Sequence, residues 1–203
     1  MKKIAFFAFL LAACVAAGRA QESRQDISLS GTGLIEPYIS SSTNVQVHST
    51  TAKGALLSYR FMLTPSSALE ANYGITYQNS ISYTIGLTNH YKVLTRTQEI
   101  SAAYVRSFNY KRFNPFVEAG VGVLIFLPIR NSQTTTQNAS QQTSPGGLYG
   151  AGLAYEVSPS FDIRAEYRGF VTKVPNFNDE TDSLKTNKWY NIYMPTLGVA
   201  YHF

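Results

Sequence analysis

Asn191-Ile192-Tyr193-Met194-Pro195-Thr196-Leu197-Gly198-Val199-Ala200-Tyr201-His202-Phe203 is the stretch whose reading decides the fold. In steps of two, one face carries Tyr193, Pro195, Leu197, Val199, Tyr201 and Phe203, and the other Ile192, Met194, Thr196, Gly198, Ala200 and His202. The large groups share one side and the smaller or more polar groups the other, which is the period of a β-strand. On a soluble edge strand an exposed terminal Phe invites aggregation. A strand set between lipid on its large face and a lumen on its small face carries no such penalty.

The other end of the chain supports that setting. Met1-Lys2-Lys3, an apolar run from Ile4 to Gly18 and the small-x-small triplet Gly18-Arg19-Ala20 form the layout of a secretory signal, cleaved after Ala20. Leu11-Ala12-Ala13-Cys14 also has the form of a lipoprotein processing site, but apolar residues continue past Cys14. Removal of residues 1–20 leaves residues 21–203 as one domain. Basic residues then fall from 17 to 14 against 12 acidic ones, a net charge of +2. The basic character of the whole chain is partly that of the signal, so nucleic acid is not an expected partner. Cys14 is the single cysteine, so the exported chain is expected to hold neither disulfide nor thiol chemistry.

Between the ends, strand-like segments alternate with two kinds of connection. Segments with period-two alternation are expected near 26–35, 53–63, 68–77, 93–108, 115–127, 147–157, 161–172 and 191–203. Short turns fall at 64–67, 109–114 and 158–160, and long polar loops at 36–52, 78–92, 128–145 and 173–188. Within 78–92, the Ile81-Tyr83-Ile85 alternation leaves open a strand prolonged beyond the membrane. Asn131 to Ser144 is a low-complexity stretch of uncharged polar residues. All long connections lie at one end and all short ones at the other, as in outer-membrane barrels. The expected fold is all-β: a closed antiparallel eight-stranded transmembrane β-barrel of up-and-down topology, with both termini on the periplasmic side. Lipid forbids an open sheet edge, so the last strand must pair with the first.

The last strand resembles the C-terminal signal of bacterial outer-membrane proteins, carried here by Leu197, Val199, Tyr201 and Phe203. The chain as a whole resembles the small eight-stranded outer-membrane barrels of the OmpA, OmpX and opacity-protein type, over roughly residues 26–203. The resemblance implies residence in the outer membrane among its lipids, assembly through the C-terminal strand by the barrel-assembly machinery, a monomer, and loops that meet an extracellular ligand.

By alternation Arg60, Glu70, Glu99, Glu118, Asp162, Arg164, Glu166 and Arg168 all point into the lumen. An eight-stranded barrel is just wide enough for side chains to fill it, so these charges are expected to form a structural plug of ion pairs. Each of the three Arg is expected to bridge two carboxylates. A conductive path and a proton or metal site are the competing readings. Glycines 120, 122, 150, 152 and 198 at inward positions are expected to make room for Arg and Tyr side chains opposite. His48 and His90 fall in expected outer loops and His202 near the periplasmic rim. Barrels that modify lipid A use a His with a Ser and an acid; His48-Ser49 and Asn89-His90 offer only fragments of such a set. No metal-ligand spacing, phosphate loop or nucleophile elbow is present, so no catalytic residue, metal or cofactor is expected. The expected function is a non-enzymatic surface barrel with a structural or adhesive role. A lipid-A-modifying enzyme and a narrow channel are the alternatives.

Overall fold

The computed structural model describes residues 24–40, 45–85, 89–129, 140–175, 177 and 188–203. The signal segment 1–20 and residues 130–139 and 178–187 lie outside them. The described strands, numbered in chain order, are β1 (Gln25–Leu34), β2 (Ile39–Ser40), β3 (Val45–Ser49), β4 (Ala52–Thr64), β5 (Ser67–Ile85), β6 (Asn89–Ser107), β7 (Phe113–Pro128), β8 (Gln142–Ser158), β9 (Phe161–Lys173) and β10 (Trp189–His202).

Strands β1 and β4 to β10 pair antiparallel in succession, and β10 pairs back onto β1 from Asp26↔His202 to Thr32↔Thr196. The chain is thus a closed eight-stranded up-and-down barrel. Closure satisfies backbone donors and acceptors around the ring, which is what lets strands cross a bilayer. Followed from Ile27 through Tyr59, Ala71, Ala102, Val121, Gly147, Val171 and Asn191, the register re-enters β1 ten residues further on, just past the Ile35–Tyr193 bridge. That shear tilts the strands by about 40° from the barrel axis.

Alternation then sorts the side chains. Leu29, Leu57, Tyr73, Ile100, Val121, Leu153, Ile163, Leu197 and Val199 are exposed on the outer wall, where lipid covers them. Aromatic rings mark its two borders. At the end carrying the short turns, Phe113 lies against Tyr155 at 4.9 Å, and Tyr201 against Phe161 at 5.0 Å and Phe203 at 6.1 Å. At the opposite border Arg96 sits 5.3 Å over Tyr77 and Lys173 sits 5.6 Å over Trp189.

The expected loop 36–52 holds strand, and the strand prolongation left open within 78–92 is present. Within 36–52, β2 pairs with β3, and β3 pairs with the upper part of β5 from Val45↔Ile85 to Ser49↔Ile81. Within 78–92, β5 and β6 continue pairing as far as Ile85↔Asn89. Polar composition made 36–52 read as loop, since β3 pairs with the upper ladder of the longest hairpin, well downstream in sequence; the extension of that hairpin is the prolonged strand that the Ile81-Tyr83-Ile85 alternation left open. A bulge between Thr76 and Asn79 switches the parity of β5, so that Asn79 and Ile81 face inward above it. Likewise Gln142, Thr143 and Ser144 belong to β8, opposite Phe126, Ile125 and Leu124. The barrel therefore continues beyond the membrane as a ribbon of β2, β3, β5 and β6.

Candidate functional site

The lumen is filled in three layers. Nearest the periplasmic turns, Arg60 donates from Nε to Glu70 Oε2 at 2.8 Å and stacks 4.9 Å over the buried ring of Phe116. Beside it Arg164 grips Asp26 with both terminal nitrogens, at 2.9 and 2.8 Å, and lies 3.8 Å from Asp162. His202 Nε2 meets Asp162 Oδ2 at 2.8 Å, tying the end of β10 to the start of β9.

The middle layer is centred on Arg168, which has no exposed surface. Its terminal nitrogens fork onto Glu99 at 2.9 and 3.4 Å. Its Nε lies 3.1 Å from Glu118 Oε1 and 3.3 Å from Glu166 Oε1. Gly150 pairs with both Glu118 and Arg168 across the sheet, and a Cβ there would stand 2.6 Å from Glu118 Oε1. The missing side chain is what admits the carboxylate.

The third layer, toward the extracellular mouth, is apolar. Leu34, Leu124, Phe126, Leu148, Phe170, Ile192 and Met194 are buried together there, with Ile81 and Val93 from the ribbon. Phe177, fully buried, enters from the connection between β9 and β10. Its backbone is held at φ 52°, a strained setting for a non-glycine residue. Phe177 N donates to Gln142 Oε1 at 2.7 Å, and Ser140 N and Oγ both donate to Phe177 O at 3.1 Å.

At the edge of this layer Asn79 Nδ2 donates to Glu36 Oε1 at 2.9 Å, while Ser49 Oγ donates to Asn79 Oδ1 at 2.7 Å. Glu36 lies just past the extracellular end of β1, and burial pushes its carboxyl up to about 7. Hydrogen bonds from Ser49 and Asn79 partly offset that rise.

The structure brings all eight lumen charges of the sequence reading inside the barrel, but groups them unevenly. Arg168 meets three carboxylates, Arg164 two and Arg60 one. Asp26 and His202 join the network: alternation had put His202 on the lumen face of the last strand without a partner, and Asp26 had not been singled out. The signal was present in the cross-strand pairing of Asp26 with both Arg60 and His202. The inward glycines make room for other groups than expected: Gly152 for Phe116 and Gly198 for Ser30, with Arg and Tyr absent from both positions. The apolar layer was missed because its residues are spread in ones and twos over many strands and one connection. His48 and His90 lie on β3 and β6, opposite Ser82 and Thr84 of β5. Among the described residues no group of three His, Cys, Asp or Glu could hold a metal ion. Leu197 and Val199 are exposed on the outer wall, with Tyr201 and Phe203 half-buried at its lower border.

Comparison with known proteins places this architecture. The family model for the outer membrane protein beta-barrel domain matches residues 5–203. The chain belongs to that family. It is therefore an integral protein of the bacterial outer membrane. Curated protein sequences give no match. Among solved structures it is similar to Neisserial surface protein A, at 17% identity over 89% of this chain and 98% of that one, with a TM-score of 0.59. OprG from Pseudomonas aeruginosa is 12% identical over 90% of this chain and 97% of its own, with a TM-score of 0.64. Ail, the attachment invasion locus protein of Yersinia pestis, is 16% identical over 90% and 100%, with a TM-score of 0.50. Ail has also been solved in complex with the heparin analogue sucrose octasulfate. At such identities the likeness is one of fold.

Proposed function

We propose that this barrel is a non-conducting, non-enzymatic scaffold that holds an extracellular ribbon and its loops at the cell surface for contact with a partner there. The observation that carries this reading is the lumen. Ion pairs around Arg168 fill its middle, and Phe126, Phe170 and Phe177 lie fully buried above them. A path for ions would have to break both layers. The longest hairpin, β5–β6, projects instead beyond the membrane with β3 paired on its edge. Polar loops rich in Ser, Thr, Gln and Asn suit recognition of a polar surface, and the complex of Ail with a heparin analogue is a precedent within the fold.

The chain is exported by residues 1–20, inserted as a monomer, and handed to the barrel-assembly machinery through Leu197, Val199, Tyr201 and Phe203. Deletion of Phe203 is expected to leave the protein in the periplasm, read by fractionation and heat-modifiable gel mobility.

The reading is tested by recording the protein in planar bilayers and by adhesion of cells that display it. Silence in the bilayer and adhesion lost with the loops are expected. A steady single-channel current from the unaltered protein would sink it in favour of a narrow channel. The enzyme alternative is tested by lipid A mass spectrometry of cells with and without the protein, with identical spectra expected.

A further inference from the structure

The outer wall of a barrel in lipid is normally a continuous apolar band, but here it is furrowed on one side. Ala71 and Ala102 face each other across β5 and β6, and Tyr59 lies opposite Ala71 on β4. One pair nearer the periplasmic turns, Phe61, Leu69 and Tyr104 stand in register. The two alanines leave a groove of about 380 Å³ floored by methyl groups and walled by Tyr59, Phe61, Leu69 and Tyr104. Glu70 lends it only backbone, since its side chain is inside the lumen on Arg60. Water has no polar partners in such a furrow. A void there forfeits dispersion contacts, whereas a flexible hydrocarbon chain restores them.

A cation lies at the end of the groove. Arg106 follows Tyr104 on the same outward face of β6, beside the short turn that begins β5. Arg106 Nη1 donates to Ser67 Oγ at 2.8 Å, and Tyr104 Oη donates to the same oxygen at 2.9 Å. Both lone pairs of the Ser67 hydroxyl are then used, and the partner is neutral. The other four N–H groups of Arg106 meet no carboxylate among the described residues, and the side chain is exposed. A planar guanidinium anchored by one corner presents a fork suited to a phosphate, and it does so at the depth where the headgroups of the periplasmic leaflet lie.

The geometry points to a specific site for one phospholipid of the periplasmic leaflet, with an acyl chain laid over Ala71 and Ala102 and the phosphate on Arg106. The site uses none of the lumen or loop residues, and stands independently of the surface-contact reading.

The test uses the full chain, refolded in detergent micelles and examined by native mass spectrometry with three probes in turn: phosphatidylglycerol, a diacylglycerol with the same tails, and lipid A. The unaltered protein is expected to retain one phosphatidylglycerol, about tenfold more tightly than diacylglycerol, the difference made by one charge-assisted contact. Arg106→Gln should abolish that preference. Filling the groove with Ala71→Leu and Ala102→Leu should abolish retention of both. Equal retention of phosphatidylglycerol and diacylglycerol by the unaltered protein overturns the proposal, as does full retention of phosphatidylglycerol by the filled variant. Displacement of phosphatidylglycerol by equimolar lipid A overturns it also, since it assigns the groove to the other leaflet. Arg106→Gln leaves the groove floor untouched, so it decides the phosphate contact even if the filled variant does not fold.

Discussion

Arg168 meets Glu99, Glu118 and Glu166 with no exposed surface of its own, so its loss would leave three carboxylates without their cation. The lumen holds Asp26, Glu70, Glu99, Glu118, Asp162 and Glu166 against Arg60, Arg164 and Arg168, so no spare guanidinium can take over. Arg168→Met is expected to destabilise the barrel by on the order of 3–5 kcal/mol in urea titrations in micelles. Adding Glu99→Gln and Glu118→Gln should recover much of that loss, because neutral amides do not need the cation. The lipid-facing control Val121→Ala should cost far less. Glu36 gives a pH dependence of defined sign. Its carboxyl is held near 7 when buried, against a usual value of 4.5. Below 4.5 both the folded and the open state carry the proton, and the packing of Glu36 is fully effective. Between 4.5 and 7 the open state ionises while the folded state keeps its proton, so about 3 kcal/mol of local stability is lost progressively, and the loss is complete once the pH has passed 7. Protection factors of the amides across Val45–Ser49, each taken against its own unstructured exchange rate at the same pH, are therefore expected to fall from pH 5 to pH 8, and Glu36→Gln to flatten that profile.

At the scale of elements, the strands were legible and their partners only partly so. Period-two alternation fixes which face of each strand is apolar, so residues such as Val121, Leu197 and Arg168 could be assigned to lipid or lumen from sequence. Register is a property of pairs, and nothing local in Asp26 marks it as the partner of Arg164 from β9. The ribbon was legible only in the Ile81-Tyr83-Ile85 alternation, because a bulge at Thr76/Asn79 breaks the period at the point where β5 leaves the membrane. Phe177 gave no periodic signal at all, being a single side chain from a connection. Pro195 shows what register adds. It lies on the closing seam opposite Gly33, between the Thr32↔Thr196 pair and the Ile35–Tyr193 bridge, where the ladder is interrupted. Ile35 N donates to Tyr193 O at 2.8 Å and Tyr193 N to Ile35 O at 2.9 Å, so position 195, two residues along, would direct its N–H at β1 if it had one. Pro195→Val is expected to add that bond and raise stability by about 1 kcal/mol. Slower amide exchange at Gly33 and Leu34 in the variant is the measurement, and an unchanged rate would mean the gap has another cause.

For the whole molecule, the division of labour between wall and connections decides what can be removed. The wall closes through its own ladder, so shortening a loop costs the barrel little and slightly reduces its closure entropy. Val174, Phe177 and the residues from Ser140 to Ser144 are exceptions, since they pack or hydrogen-bond at the extracellular mouth. Replacing residues 130–139 and 178–187 with short Gly/Asn turns, while keeping these, is expected to leave a barrel with unchanged circular dichroism and heat-modifiable mobility. Cells displaying it should no longer adhere to whatever surface the intact protein engages. Adding Phe177→Ala removes one ring from the mouth and relieves its left-handed backbone setting. Leu124, Phe126 and Phe170 still cover Arg168 beneath it, so this second variant should also remain silent in planar bilayers. A current in the second variant alone would make Phe177 the gate of a pore and the ion pairs below it a permeable layer. A folded first variant that still adheres would move the contact surface from the trimmed loops to the ribbon of β2, β3, β5 and β6 or to the wall.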